Sequence, residues 1–202
     1  VPRQRAGAKN WFLTTKVWFK DYGNGYASVE MSLRRLRTDY LDLVLLHWPF
    51  GDTYAAWRDL ERLYKEGKVR AIGVSNYTAD RLIDLINYNE IVPAVNQIES
   101  NLVSQQVETR RWMDKLGIRH QSYALRTGHI DSIYEDETLQ HIAERYHKTT
   151  RQIVLRFLIQ SGVIVIPKTV HRERLAENFD VFGFRLLDNE MEILRSYDKL
   201  RR

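Results

Sequence analysis

Cysteine is absent from all 202 residues, which excludes a disulfide framework and thiolate metal sites and points to a reducing compartment, the cytoplasm. Proline and glycine are sparse, four and ten, and so scattered that no linker or low-complexity tract can be drawn. No long apolar run exists either. The richest stretches, Leu41 to Leu46 and Val163 to Pro167, fall far short of the roughly 20 residues that cross a bilayer. The basic N-terminal stretch "VPRQRAGAKN" is not followed by a signal-type apolar segment, so a soluble protein is expected. The sequon Asn76-Tyr77-Thr78 would matter only in a secreted chain. Excess charge is modest at +5, and the basic residues alternate with acids in "RDLERLYKEGK" and "HRERLAENFD". That pattern describes solvated helix faces and argues against a nucleic-acid footprint; a phosphate-bearing cofactor would account for a few of the charges equally well.

What is present is enough apolar material for a core, 44% of residues, arranged in an alternation. Short apolar runs, "WFLTTKVW", "LDLVLLHWP", "VRAIGVSN", "PAVNQIES", "IRHQSYAL" and "VIVIPKT", are separated by segments of helical period. Val29, Leu33 and Leu36 mark one such helical face. Gly67 suits the C-terminal end of a second helix, and Thr78 or Asp80 can supply side-chain oxygens at the start of a third. Strands separated by helices must run parallel with right-handed crossovers, so an α/β fold is expected.

The strands end alike. Lys16, His47, Ser75 with Asn76, Gln97 with Glu99, Tyr123, and Lys168 with Thr169 stand at C-terminal ends. Phe12 and Leu13, Leu43 to Leu46, Ala71 and Ile72, Ala94 and Val95, and Val163 to Ile166 form the interiors. In a parallel barrel such ends converge on one mouth, whereas an open sheet spreads them along an edge. Alone, Lys16 could be a snorkelling lysine and His47 a satisfied core histidine. Together at an apolar-walled mouth they read as a proton-handling site in which the charged lysine is disfavoured.

The six histidines, His47, His120, His129, His141, His147 and His171, show no metal-type pairing with carboxylates. Gly-x-Ser-x-Gly, Gly-x-Gly-x-x-Gly and Walker motifs are missing as well. A bound nucleotide would therefore need another phosphate cradle, and Lys168, Thr169 and Arg174 around a helix start can make one. The same segment also fits a capped surface helix with Arg172 and Arg174 paired to Glu173 and Glu177.

With "SLRRLRTDYLDLVLLHWP", "LYKEGKVRAIGVSN", "PAVNQIES" and "VIVIPKTVHRERLAENFDVF" in order, the chain resembles the aldo-keto reductases, in the prokaryotic branch that includes diketogluconate reductases. The resemblance implies a (β/α)₈ barrel of TIM type, with residues 1–202 forming a single domain. Its implied chemistry is NADP(H)-dependent reduction of aldehyde or ketone carbonyls to alcohols. Lys16 and His47 match the catalytic lysine and histidine. Ser75, Asn76 and Gln97 match residues on the nicotinamide carboxamide, and Tyr123 the ring stacked beneath it. Lys168, Thr169 and Arg174 match the 2′-phosphate clamp, Glu177 and Asn178 the adenine contacts, and Trp18 and Trp48 the substrate pocket.

Two departures stand out. The family's proton-donating tyrosine and the aspartate paired with its lysine have no counterpart before "TTKVW", and Tyr22, Tyr26 and Tyr54 do not match that tyrosine. A form lacking the first two βα units is expected, with six parallel strands as barrel strands three to eight. It would be weakly active or inactive alone, and it would be prone to self-association through unpaired edge strands; the alternative is a non-catalytic NADP(H)-binding pseudoenzyme. The second departure is "SYALRTG", where Leu125 and Arg126 replace a proline and a large apolar residue; Arg126 either meets the pyrophosphate or faces solvent.

Overall fold

A computed structural model describes residues 11–124 and 131–199. The readings made for the basic N-terminal stretch and for Leu125, Arg126 and His129 lie outside the described residues. Six parallel strands alternate with helices. In chain order they begin β1 (Thr14–Val17), α1 (Gly25–Leu36), β2 (Leu43–Leu46), α2 (Thr53–Lys65), β3 (Ile72–Ser75), α3 (Ala79–Asn87) and β4 (Val95–Glu99). There follow α4 (Val107–Lys115), β5 (Arg119–Tyr123), α5 (Glu137–Arg145), α6 (Thr150–Gln160), β6 (Ile164–Val165), α7 (Arg172–Phe179) and α8 (Asp188–Ser196). Two compact units divide the chain: residues up to 97 with 112–119, and 98–111 with residues from 120 onward. Among the described residues no helix is long and apolar enough to cross a membrane.

In the first unit the strands pair in parallel, with Lys16 opposite Leu45, Leu45 opposite Gly73, and Ser75 opposite Gln97. Because side chains alternate, Val44, Leu46, Ile72 and Val74 share one face and are fully buried, with α1 packed on β1 and α2 on β2 and β3. The opposite face carries Leu43, Leu45 and Val95, which pack together with Ala71. Burial on both faces is why β2 reads as an unbroken apolar run. Gly73 lies on the tighter face, where a Cβ would stand 2.5 Å from the Val95 carbonyl oxygen and 2.7 Å from Leu45 Cδ2. Only a residue without a side chain permits that approach.

Several local expectations hold and others need correction. Gly67 closes α2 in the left-handed region at φ +73°, with the Lys68 N–H donating to the Leu63 carbonyl at 3.1 Å. Thr78 sits at the N-cap of α3 without a side-chain capping bond, while Asp80 occupies the first turn with its carboxyl held below the usual range, first by the Thr78 hydroxyl. Leu36 is exposed, since α1 ends there and Arg37 turns left-handed at φ 55°. Phe12, read as strand interior, and Trp11 beside it are 71% and 70% exposed. They precede the first ladder pair, Thr14 with Leu43, and so have no neighbouring strand to lie on. Ala94 is likewise exposed, one residue ahead of β4.

The second unit has its own core, with Leu139 and Ile142 of α5, Ile153, Phe157 and Leu158 of α6, and Leu194 of α8 at its centre. Thr149 and Gln152 form a reciprocal capping box that starts α6. Here β5 pairs with β6, Gln121 opposite Ile164 and Ser122 opposite Val165. The last strand is only two residues long, and Ile164 and Ile166, expected inside, are each 43% exposed. Pro167 follows at once and offers no N–H to extend a ladder. Two 3₁₀ turns, Phe19–Asn24 and Asp131–Glu135, carry no signal that the strand and helix periods register.

Candidate active site

Parallel register places the strand-end residues of the first unit in a common row. One step beyond the pairs Val17 with Leu46 and Val74 with Asn96 come Trp18, His47, Ser75 and Gln97. Lys16 lies two residues before Trp18, on the same face as Trp18 and His47. Its Nζ donates to Ser75 Oγ at 3.3 Å, and that hydroxyl donates to the Gln97 carbonyl at 2.9 Å. Ser75 and Gln97 are buried, and Lys16 and His47 are half-buried.

Asn76 ties the row to His47. Its backbone is left-handed at φ 65°, a conformation asparagine tolerates better than most residues. From there its N–H donates to the Gln97 carbonyl at 2.9 Å, and its side-chain amide donates to the His47 carbonyl at 3.0 Å and to Ser75 Oγ at 3.2 Å. Burial lowers the Lys16 pKa. Burial also lowers that of His47, with the Lys16 cation as the second cause. The histidine is therefore a neutral imidazole at physiological pH, with one ring N–H to donate and one ring nitrogen to accept.

An aromatic rim surrounds this histidine. The Trp18 ring meets His47 edge-on at 4.9 Å, His47 and Trp48 lie nearly parallel at 6.2 Å, and Trp48 stacks on Phe50 at 5.6 Å. Phe19 touches both Trp18 and Phe50. Phe19 and Phe50 were not anticipated, although Phe19 directly follows Trp18 and Phe50 stands two residues after Trp48. Tyr22 in the first 3₁₀ turn, Tyr26 in α1 and Tyr54 in α2 have other partners. Tyr22 bonds the Trp48 backbone, Tyr26 donates to Glu66 at 2.6 Å, and Tyr54 donates to Asp84.

In the second unit, Lys168, Thr169, Arg174, Glu177 and Asn178 line one cavity of about 370 Å³, with Val154, Leu155, Ile166 and Pro167 forming an apolar part of its wall. Helix α7 does lie on the surface, with no buried residue, but the ion pairs of the surface-helix alternative are not formed. Neither Arg172 nor Arg174 pairs with Glu173 or Glu177 among the described residues; Glu177 instead accepts from the Thr149 hydroxyl at 2.6 Å. Thr169 Oγ1 accepts from the His171 N–H at 3.1 Å, which leaves its hydroxyl hydrogen for another acceptor. Tyr123 is half-buried, and its phenol pKa is raised by burial and then by Glu99. Arg151 and Tyr134 also line this cavity, and sequence reasoning missed both.

His120 is a different kind of histidine. It is buried in the second unit, its Nε2 is 2.9 Å from Ser100 Oγ, and its Nδ1 has no hydrogen-bond partner among the described residues. Burial lowers its pKa to about 3, with Arg110 adding to the effect. Among the described residues no cluster of three or more His, Cys, Asp or Glu side chains could hold a metal ion.

Six parallel strands joined by helices, with a lysine and a histidine near the ends of the first two, define an α/β protein built on a parallel sheet. The Aldo/keto reductase family model matches residues 4–199. Glyoxal reductase of Bacillus subtilis is 42% identical over 192 residues, covering 93% of this chain and 68% of that protein. Methylglyoxal reductase DkgA of Escherichia coli K12 is 36% identical over 194 residues, covering 95% and 70%. Among solved structures, MGS-M4, an aldo-keto reductase from a deep-sea metagenome library, superposes with a TM-score of 0.93 at 36% identity, covering 98% of this chain and 75% of that one. A Bombyx mori aldo-keto reductase in complex with NADP gives 0.90 at 30% identity, covering 98% and 71%. The chain belongs to the aldo/keto reductase family, whose named members here are oxidoreductases acting on carbonyl compounds.

Proposed function

We propose that the protein is an NADP(H)-dependent reductase that converts small aldehydes or ketones to alcohols, with α-oxoaldehydes such as glyoxal and methylglyoxal the first substrates to test. The observation that carries this reading is the placement of Lys16 and His47 on one face of two paired strands, close enough that the Lys16 cation contributes to lowering the His47 pKa. The names of the relatives support the substrate class.

The cavity of the second unit suits the cofactor's phosphate. Lys168 and Arg174 line it with no carboxylate partner among the described residues, and Thr169 has a hydroxyl hydrogen to offer. A phosphate supplies the anionic acceptors such a set calls for. In this reading Lys168, Thr169 and Arg174 hold the 2′-phosphate, and Glu177 and Asn178 hold the adenine. Ser75, Asn76 and Gln97 hold the nicotinamide carboxamide, Tyr123 stacks beneath its ring, and Trp18 and Trp48 line the substrate pocket. When bound, the dinucleotide supplies the hydride.

Around that chemistry the protein's groups orient and polarise. Neutral His47 donates its ring N–H to the carbonyl oxygen, fixing the substrate and stabilising the charge that develops there. Lys16 places a cation beside the same oxygen and lowers the pKa of a neighbouring acid. Tyr22, Tyr26 and Tyr54 are not assigned as that acid, because each hydroxyl is engaged by the backbone or a carboxylate. Those engagements favour one second reading, a protein that binds NADP(H) without turning it over, and they accord with weak turnover by this polypeptide alone.

Both units are taken as parts of one reductase domain, because a single family model runs across them. The lack of cysteine supports a cytoplasmic location. Exposed Trp11 and Phe12 support self-association beside β1, which monomeric sedimentation at high concentration would remove. The test of function is NADPH consumption with methylglyoxal, followed together with quenching of tryptophan fluorescence by NADPH. Consumption supports the reductase, and binding without consumption supports the second reading. An absence of binding overturns both.

A further inference from the structure

The cavity of the second unit holds one more cation than the expected phosphate clamp requires. Arg151, near the start of α6, lines it together with Lys168 and Arg174, so that among the described residues three cationic side chains and one carboxylate, Glu177, line the cavity. That carboxylate accepts from the Thr149 hydroxyl, and among the described residues it makes no ion pair with Arg151. The Arg151 guanidinium lies over the Tyr134 ring at 5.6 Å, and among the described residues it has no carboxylate partner. An aromatic face restricts a guanidinium without consuming its N–H donors, so the fork stays available to an acceptor. Val154, Leu155, Ile166 and Pro167, which also line the cavity, are apolar and suit a flat base.

We propose that Arg151, steadied by Tyr134, is a second guanidinium of the phosphate site and a determinant of preference for a ribose-phosphorylated nucleotide over its unphosphorylated counterpart. This rests on the cofactor reading above and adds a residue to it. Three cations around one phosphate dianion would bind it more tightly than the lysine and single arginine alone. Arg151 touches only the phosphorylated ligand, so its removal should leave the base contacts in place. Tyr134 acts through Arg151 as a positioning residue.

The test is calorimetric titration of the whole protein with adenosine 2′,5′-bisphosphate and with adenosine 5′-monophosphate, neither of which requires turnover. Wild type should bind the bisphosphate more tightly. Arg151→Gln should weaken the bisphosphate about tenfold while changing the monophosphate less than twofold. Tyr134→Leu should give a smaller loss in the same direction, and Arg151→Lys should recover part of the affinity. Thermal melting of each variant checks that the fold survives, which the exposed position of Arg151 favours. Unchanged bisphosphate affinity in Arg151→Gln, with wild type still preferring the bisphosphate, would overturn this inference and leave the clamp intact. Equal binding of the two nucleotides by wild type would overturn the clamp itself.

Discussion

The phenol of Tyr22 grips both backbone groups of Trp48, donating to its carbonyl at 2.6 Å and accepting from its N–H at 3.1 Å. Trp48 directly follows His47, so this buried hydroxyl fixes the chain where it leaves β2 and passes the catalytic candidate. Burial pushes the Tyr22 pKa up to about 12 and keeps the hydroxyl neutral. Tyr22→Phe should cost about 1–3 kcal/mol in urea unfolding, because two buried backbone groups lose their partner. It should also alter tryptophan emission as the stack of His47, Trp48 and Phe50 loosens. Unchanged stability together with unchanged emission would show that the clamp does not position the rim.

The ring of His47 should titrate below 6.5 in a histidine NMR experiment, since burial and the Lys16 cation both oppose protonation. Lys16→Met should move that midpoint upward without restoring the ordinary value, because burial is the larger cause. A midpoint insensitive to Lys16 would separate the two residues electrostatically.

His120 should make the protein acid-labile. Its pKa falls from 6.5 to about 3 on folding, so between those values the unfolded chain holds a proton that the native chain does not. The stabilisation is complete above pH 6.5 and declines as pH falls toward 3, by about 1.4 kcal/mol per unit for a single group. Urea midpoints measured from pH 7 to 5 should fall for wild type and stay flatter for His120→Gln. Parallel slopes would contradict the assignment.

Gly73→Ala should destabilise the first unit by about 2 kcal/mol or more. Its new methyl would meet the Val95 carbonyl oxygen at 2.5 Å, a backbone atom that cannot swing aside. Thermal melting provides the measurement, and a midpoint equal to wild type would mean that β3 and β4 can separate at little cost.

How far these features were legible depends on the kind of interaction. β2 was plain because burial on both faces requires an apolar run, and the polar residues ending each strand stood out against it. His47, Ser75 and Gln97 do fall in one row, with Asn76 one step beyond and Lys16 two residues back reaching Ser75 through its ammonium, because parallel register carries strand-end residues to a common edge. The bond between Tyr22 and Trp48 was invisible, since a side chain that reaches backbone from a 3₁₀ turn imposes no period on the sequence. Leu36 misled because an apolar period can continue past the point where a helix ends. One signal was present and passed over. Asp42 interrupts "LDLVLL", and it accepts from the Leu13 N–H and from Arg70, each at 2.8 Å, at the N-terminal end of the strands.

The central claim, that this family member uses the phosphate-bearing nicotinamide cofactor, is tested most directly by tryptophan quenching with NADPH and NADH in wild type and Arg174→Ala. The account predicts that wild type binds NADPH at least about tenfold more tightly than NADH and that Arg174→Ala loses most of that preference while NADH affinity is nearly unchanged. Equal affinities in wild type, or equal losses for both cofactors in the variant, would contradict it.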